Sequence, residues 1–233
     1  MFTELELTGR ARTHVVQSDD ICAAIHRDVV DPFNALQTAA ASEGIDLQIA
    51  SGFRDFDAQL RIWNMKFRGE RPVYDKAGKV LDHAHLDAGE LIDGILSWSA
   101  LPGASRHHWG TDIDVIDRAA MAPDYRYSLL PKEYAAGGVF HRLNLWLDDN
   151  IAGFGFFRPY ADYRGGVYPE PWHLSHAGLS AEALDMLTPE LIAAAVRDSD
   201  LLGKEQVLAQ LTSIHRQYIA NICAPSATLR ASL

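Results

Sequence analysis

Two histidines, a glycine and two aspartates fall within a few positions of one another in SRHHWGTDIDV, residues 105–115. The pair of chemical interest is His107 and Asp114. Gly110 between them lets the chain turn, and the alternation in TDIDVID predicts a strand over 111–117. On that strand Ile113 and Val115 share the core face, so Asp112 and Asp114 share the other, beside whatever His107 reaches. Two carboxylates and an imidazole on one side of a strand are costly to bury unless a cation joins them. Zinc suits the set, because it takes imidazole and carboxylate at about 2.0–2.2 Å. Taken alone, the stretch fits a solvated turn with a salt-bridged aspartate equally well.

A second stretch, YPEPWHLSH at 168–176, adds Glu170 and His173. If WHLS is a strand, His173 and Trp172 point to opposite faces, and the preceding turn can swing Glu170 back toward His173. A catalytic zinc site needs three protein ligands, an open position and a nearby base. His107, Asp114 and His173 supply the ligands and Glu170 the base. The remaining histidines are read as non-ligands: His108 as an exposed neighbour, His83 and His85 in a loop, His176 at a rim. Trp109 and Trp172 are read as packing residues.

Three patterns now stand in order along the chain. SGFRDFDAQ, residues 51–59, follows S-G-[YF]-R-x-x-x-x-Q; SRHHWGTDID follows S-x-H-x-x-G-x-x-x-D; EPWH follows E-x-W-H. Together they resemble the D-alanyl-D-alanine carboxypeptidases of the VanY type, zinc peptidases of the LAS group related to the D-Ala-D-Ala dipeptidases. The resemblance implies a Hedgehog/DD-peptidase-like fold, zinc on His107, Asp114 and His173, and Glu170 as general base. It also implies that Arg54 stabilises an oxyanion or holds a substrate carboxylate, and that Gln59 and Ser105 contact substrate. The implied activity is D,D- or L,D-carboxypeptidase hydrolysis of the terminal peptide bond of peptidoglycan stem peptides. Cell-wall endopeptidases and endolysins share these motifs, and a non-catalytic zinc-stabilised binding module is a further reading, against which the presence of Glu170 argues. Asp112 departs from the pattern, which has a small residue there. It either orients a ligand, binds a cationic substrate group, or turns away at a bulge.

The elements that must position these residues are read from periodicity and end signals. A helix is expected over 19–43, capped by Asp19 or Asp20, broken or restarted at Pro32 and stopped at Gly44. A strand follows in 45–53, then a helix over 55–69 between an Asp55 cap and Gly69. Residues 69–104 read as a long rim with a hairpin and a short helix in 86–101. A helix over 140–154, a strand in 170–176 and two helices over 180–222, capped near Ser180 and Ser199, complete an α+β arrangement. In it a small antiparallel sheet is flanked by helices, with helices at the C-terminal end. The domain is expected over 1–222, with its motif core at 45–178 and a flexible tail at 223–233.

With 233 residues, 48% hydrophobic and 22% charged, the chain can build a core without a structural metal. Its net charge of −10 disfavours nucleic acid and polybasic membrane contact. Cys22 and Cys223 form no CxxC and are expected as free thiols, a single terminus-to-terminus bridge between them being the alternative. No stretch is apolar enough for a membrane span, and the N-terminal residues lack a signal-peptide core. As written, the chain is expected in the cytoplasm; a leader outside this sequence would place it in the periplasm or export it.

Overall fold

Six strands and ten helices carry the site in the structure, a computed structural model that describes residues 1–17, 23–225 and 229. In chain order they are α1 (Glu4–Leu7), β1 (Val15–Gln17), β2 (Ala24–His26), α2 (Val30–Ser42), β3 (Leu47–Ser51), α3 (Phe56–Phe67) and α4 (Ala88–Leu96). They continue with β4 (Asp112–Asp117), α5 (Pro131–Tyr134), α6 (His141–Asn150), β5 (Phe156–Phe157) and β6 (His173–His176). Last come α7 (Ala177–Met186), α8 (Pro189–Arg197), α9 (Lys204–Ala209) and α10 (Leu211–Ile214). Among the described residues no helix is long and apolar enough to cross a membrane.

The main sheet is antiparallel with strand order β3-β4-β6-β5. One face of β4 enters an apolar cluster: Ile113 and Val115 pack with Leu47, Leu174, Phe33, Leu36, Phe140 and Leu143 from the neighbouring strands, α2 and α6. A second cluster lies among the helices, where Trp63 of α3 meets Ile92, Ile95, Ile192 and Val196. Trp109 belongs to this second cluster. The turn before β4 therefore bridges the two cores, and the polar face of β4 lies at their junction.

Several expected end signals are where the sequence puts them. Asp55 caps α3 by accepting from the Ala58 N–H at 2.7 Å, and Gly44 and Gly69 adopt φ +74° at the ends of α2 and α3. The expected hairpin in the rim closes through a bridge between Tyr74 and Val80. Three expectations are corrected. Residues 24–26 form β2, paired with β1, and the helix starts only at Val30. Pro32 falls in the first turn of α2, where its missing N–H removes no intrahelical bond, so it breaks nothing. Beyond residue 180 there are more than two helices. Ser180 lies buried inside α7, accepting from the Ser175 hydroxyl, and Ser199 follows α8 rather than starting a helix. The cap of α8 is Thr188, with Pro189 at the first helical position. The proposed Asp19/Asp20 cap, Cys22 and most of the tail lie outside the described residues.

Gly110 closes the turn into β4 at φ +65°. A Cβ there would stand 2.6 Å from Val15 Cγ1 and 2.7 Å from the His26 N of the β1-β2 ribbon. Replacing Gly110 with Ala is expected to cost about 2–4 kcal/mol through left-handed strain plus the clash. That is a fall of roughly 5–10 °C in Tm for a chain of this size. Gly153→Ala, where no heavy atom lies within 4 Å, should leave Tm nearly unchanged in the same calorimetric comparison.

Candidate metal centre and its cleft

Strand register brings the key residues together. Asp114 of β4 lies directly opposite His173 of β6 on one side and Ser51 of β3 on the other. The 3-10 turn Arg106–Trp109, ended by left-handed Gly110, folds His107 back over them. One atom from each of His107, Asp114 and His173 lies within 4.8 Å of the others. His107 Nε2 is 3.4 Å from Asp114 Oδ2. His173 Nδ1 is 3.2 Å from Asp114 Oδ1 and 3.3 Å from Glu170 Oε2. All four side chains are buried.

The far nitrogen of each imidazole is taken up elsewhere. His107 Nδ1 lies 3.0 Å from the Gly52 carbonyl, so that nitrogen carries a proton and Nε2 faces Asp114. His173 Nε2 lies 3.0 Å from Asp112 Oδ1, so Nδ1 is turned toward Asp114 and Glu170. Asp114 Oδ1 is buried and accepts no hydrogen bond. Two ring nitrogens and an unpartnered carboxylate oxygen converging on one point fit a zinc ion by donor type and second contacts. The charge balance agrees. Burial alone would depress His173, yet its contacts with Asp112, Asp114 and Glu170 hold its pKa well above the usual value. Burial would likewise raise Asp114, but His107 and His173 hold it far below the carboxylate range. The pocket is arranged for a positive charge.

Asp112 is fully buried and makes three polar contacts through its two oxygens. Its Oδ1 accepts from Arg106 Nε at 2.7 Å as well as from His173, and its Oδ2 accepts from the Thr111 hydroxyl at 2.7 Å. Arg106 Nη2 in turn donates to Ser175 Oγ at 2.7 Å. Of the three readings for Asp112, the contacts match the one in which it orients a histidine. The residue pairs in register with Ser175, and the irregularity in the sheet lies in β3, between Ile49 and Ser51.

Arg54 lies on the loop between β3 and α3, its Nη1 donating to Gln59 Oε1 at 2.7 Å and its Nη2 to Ser51 Oγ at 2.8 Å. It is half-buried, and the Asp114 and Glu170 carboxylates act on its charge. Gln59 is fully buried, with its amide donating to the Ala100 carbonyl at 2.7 Å. It grips Arg54 from behind and does not line the cleft. Ser105 does line it, and its buried hydroxyl has no partner.

The histidines read as non-ligands stay out of the centre, but His108 is fully buried rather than exposed. Its Nδ1 donates to the Arg54 carbonyl at 2.6 Å and its Nε2 accepts from the Gly103 N–H at 3.1 Å. It fixes the backbone under Arg54, and burial pushes its pKa down to about 3. Trp109 is core, while Trp172 packs into the sheet cluster and also edges the cleft.

The cleft above the centre holds about 310 Å³. Its walls include four residues that motif reading did not single out: Tyr160, whose ring meets His173 edge-on at 5.1 Å, Trp98, Lys66 and Arg71. A helical position seven residues beyond Gln59 was the available signal for Lys66, since 59 and 66 share one face of α3.

Comparison with known proteins follows this geometry. The family model described as VanY, D-alanyl-D-alanine carboxypeptidase, matches residues 23–179. An uncharacterised protein of Haemophilus influenzae is 48% identical over 98 residues, 41% of this chain and 67% of that protein. Two solved structures share the fold. One is a mutant of the vancomycin-resistance D,D-pentapeptidase VanY from a VanB-type cassette, in complex with Zn(II), at TM-score 0.51 and 23% identity over 76% of this chain and 84% of that one. The other is VanYB in complex with D-alanine-D-alanine, at TM-score 0.52 and 21% identity over 82% and 92%. A family model spanning well over half of the 233 residues, on a chain with this site, means that the protein belongs to the VanY family of D-alanyl-D-alanine carboxypeptidases, peptidase hydrolases acting on peptidoglycan.

Proposed function

We propose that the chain is a zinc-dependent carboxypeptidase that removes the terminal residue of peptidoglycan stem peptides, with D,D or L,D stereochemistry at the cut. The observation that carries this reading is the convergence of His107, Asp114 and His173 within 4.8 Å, with the Glu170 carboxylate 3.3 Å from His173 at the wall of an open cleft. The solved relatives with Zn(II) and with D-alanine-D-alanine support the metal and the substrate class.

When bound, zinc supplies Lewis acidity and lowers the pKa of water toward about 7. Glu170 takes a proton from the attacking water and returns it to the leaving amine. Arg54 directs its guanidinium at the carbonyl oxygen as negative charge develops there. Because Gln59 and Ser51 already hold that guanidinium, the donor needs no reorganisation during the reaction. Ser105 offers its unpartnered hydroxyl to the peptide. Asp112 keeps His173 turned so that Nδ1 faces the metal, and Arg106 with Thr111 fixes Asp112.

Incubation with defined stem peptides, with products identified by mass, should show loss of one C-terminal residue; internal cuts would indicate an endopeptidase instead. Glu170→Ala is expected to keep zinc while losing about 10²–10⁴ in kcat, and equal activity of variant and parent would remove Glu170 from the reaction. Arg54→Ala should lower kcat by about 10²–10³ with little change in Tm. Asp112→Ala should weaken zinc binding about 10- to 100-fold in chelator competition. His107→Ala should abolish stoichiometric zinc in metal analysis.

A further inference from the structure

The cleft holds more positive charge than its described partners use. Arg54, Lys66, Arg71 and Arg106 all line it, against Asp114 and Glu170. Arg106 is committed to Asp112 through a 2.7 Å ion pair. Arg54 is held by Gln59 and Ser51 next to the centre, with the Asp114 and Glu170 carboxylates acting on its charge. Lys66 and Arg71 remain, and neither forms a salt bridge with any described residue. In a chain of net charge −10, surface cations ordinarily find acidic partners, and Lys66 is half-buried in the cleft wall without an ion pair.

Lys66 stands in the last two turns of α3 and lines the cleft together with Ile62, one turn earlier on the same face. Side chains on a helix lean toward its N-terminus, so the Lys66 stem runs back toward Gln59 and the guanidinium that Gln59 holds. Its Nζ donates to Ser99 Oγ at 2.5 Å; an ammonium has three donors, so capacity remains. Burial pushes its pKa down to about 8, with Glu170 opposing and Arg71 and Arg54 adding to the fall. The ammonium is thus charged at neutral pH but poorly compensated. Arg54 bonds Ser51, which pairs with Asp114 across the β3–β4 ladder, whereas Lys66 bonds Ser99 in the segment after α4, so the ammonium is anchored away from the strand that carries Asp114.

A peptide with its terminal bond at the centre presents two acceptors in sequence: the scissile carbonyl oxygen, then one residue later a free carboxylate. The cleft likewise presents two half-buried cations, Arg54 tied to Ser51 beside Asp114 and Lys66 tied to Ser99. We propose that Lys66, with Ser99 beside it and Arg71 at the rim, forms the subsite for the substrate's C-terminal carboxylate and thereby restricts cleavage to the last residue. An internal peptide segment would cover Lys66 without pairing it, leaving a buried unpaired charge. This inference rests on the carboxypeptidase reading and extends it to the origin of terminal specificity.

The test is binding of a stem pentapeptide as free acid and as C-terminal amide to the zinc-loaded Glu170→Ala protein, by calorimetry. The acid should bind about 10- to 100-fold more tightly, the range of one charge-assisted hydrogen bond. Lys66→Met in the same background, which keeps the stem, should remove that preference while leaving amide binding within about threefold. Lys66→Arg should restore part of it. Equal binding of acid and amide, or an acid preference that survives Lys66→Met with zinc content intact, overturns the proposal. Turnover by the parent protein separates the two readings. An acid preference lost in Lys66→Met, with no hydrolysis by the parent, keeps the subsite and overturns the peptidase reading. Hydrolysis with equal efficiency on acid and amide does the reverse.

Discussion

Everything at this site depends on one pairing of strands, Asp114 opposite His173 in the β4–β6 ladder. Register in a sheet is all or nothing, because a slip of one residue would turn every side chain to the other face. Here the core holds the register: Ile113, Val115 and Leu174 fill the apolar cluster on one side. The same constraint drives Asp112, Asp114 and His173 together on the other. The burial of apolar side chains thus supplies the free energy that forces charged groups into contact.

That arrangement would be unfavourable if the charges stood alone. Carboxylates and imidazoles in a buried space need either full hydrogen bonding or a counter-charge. The Arg106–Asp112 pair, Thr111 and Ser175 satisfy the outer layer. The inner layer is left with Asp114 Oδ1, 3.2 Å from His173 Nδ1 but without a well-formed hydrogen bond, which leaves room for a cation between them. Arg54 is held beside this layer by hydrogen bonds of its own, to Gln59 and to Ser51. His108, buried under its carbonyl, works as a hydrogen-bonding bracket with one proton on the ring.

Much of this was legible in the sequence because few residue types can do each job. The candidate ligands His107, Asp114 and His173, which the structure brings within 4.8 Å of one another, stand out in the sequence because imidazole and carboxylate at turn-and-strand spacing have few other reasons to be buried. Asp55, Gly44 and Gly69 mark helix ends through capping and left-handed geometry, which are local properties. Gln59 was misplaced for the complementary reason: spacing places an amide near the site but does not say whether it faces substrate or an arginine. Helical spacing from Gln59 is the one pointer to Lys66, and it is a weak one, since a lysine on an amphipathic helix is usually solvated and only tertiary packing turns this one into the cleft wall. The β1-β2 ribbon escaped because three-residue strands have too little periodicity to compete with a helical pattern. The C-terminal helices divide differently from the serine spacing because Thr188-Pro189 carries a stronger start signal than Ser180 or Ser199.

The β1-β2 ribbon also bears on where the working unit begins. His14 donates through Nε2 to the His108 carbonyl at 2.9 Å, and the His26 N–H donates to the Gly110 carbonyl at 2.8 Å. These two bonds close the backbone of the very turn that carries His107. A chain trimmed to the span of its recognisable motifs, 45–178, would expose both carbonyls and open the back of the turn. The smallest piece that can act as an independent unit is therefore defined by where hydrogen bonding closes, at His14, 37 residues upstream of the Ser51 that opens the first motif.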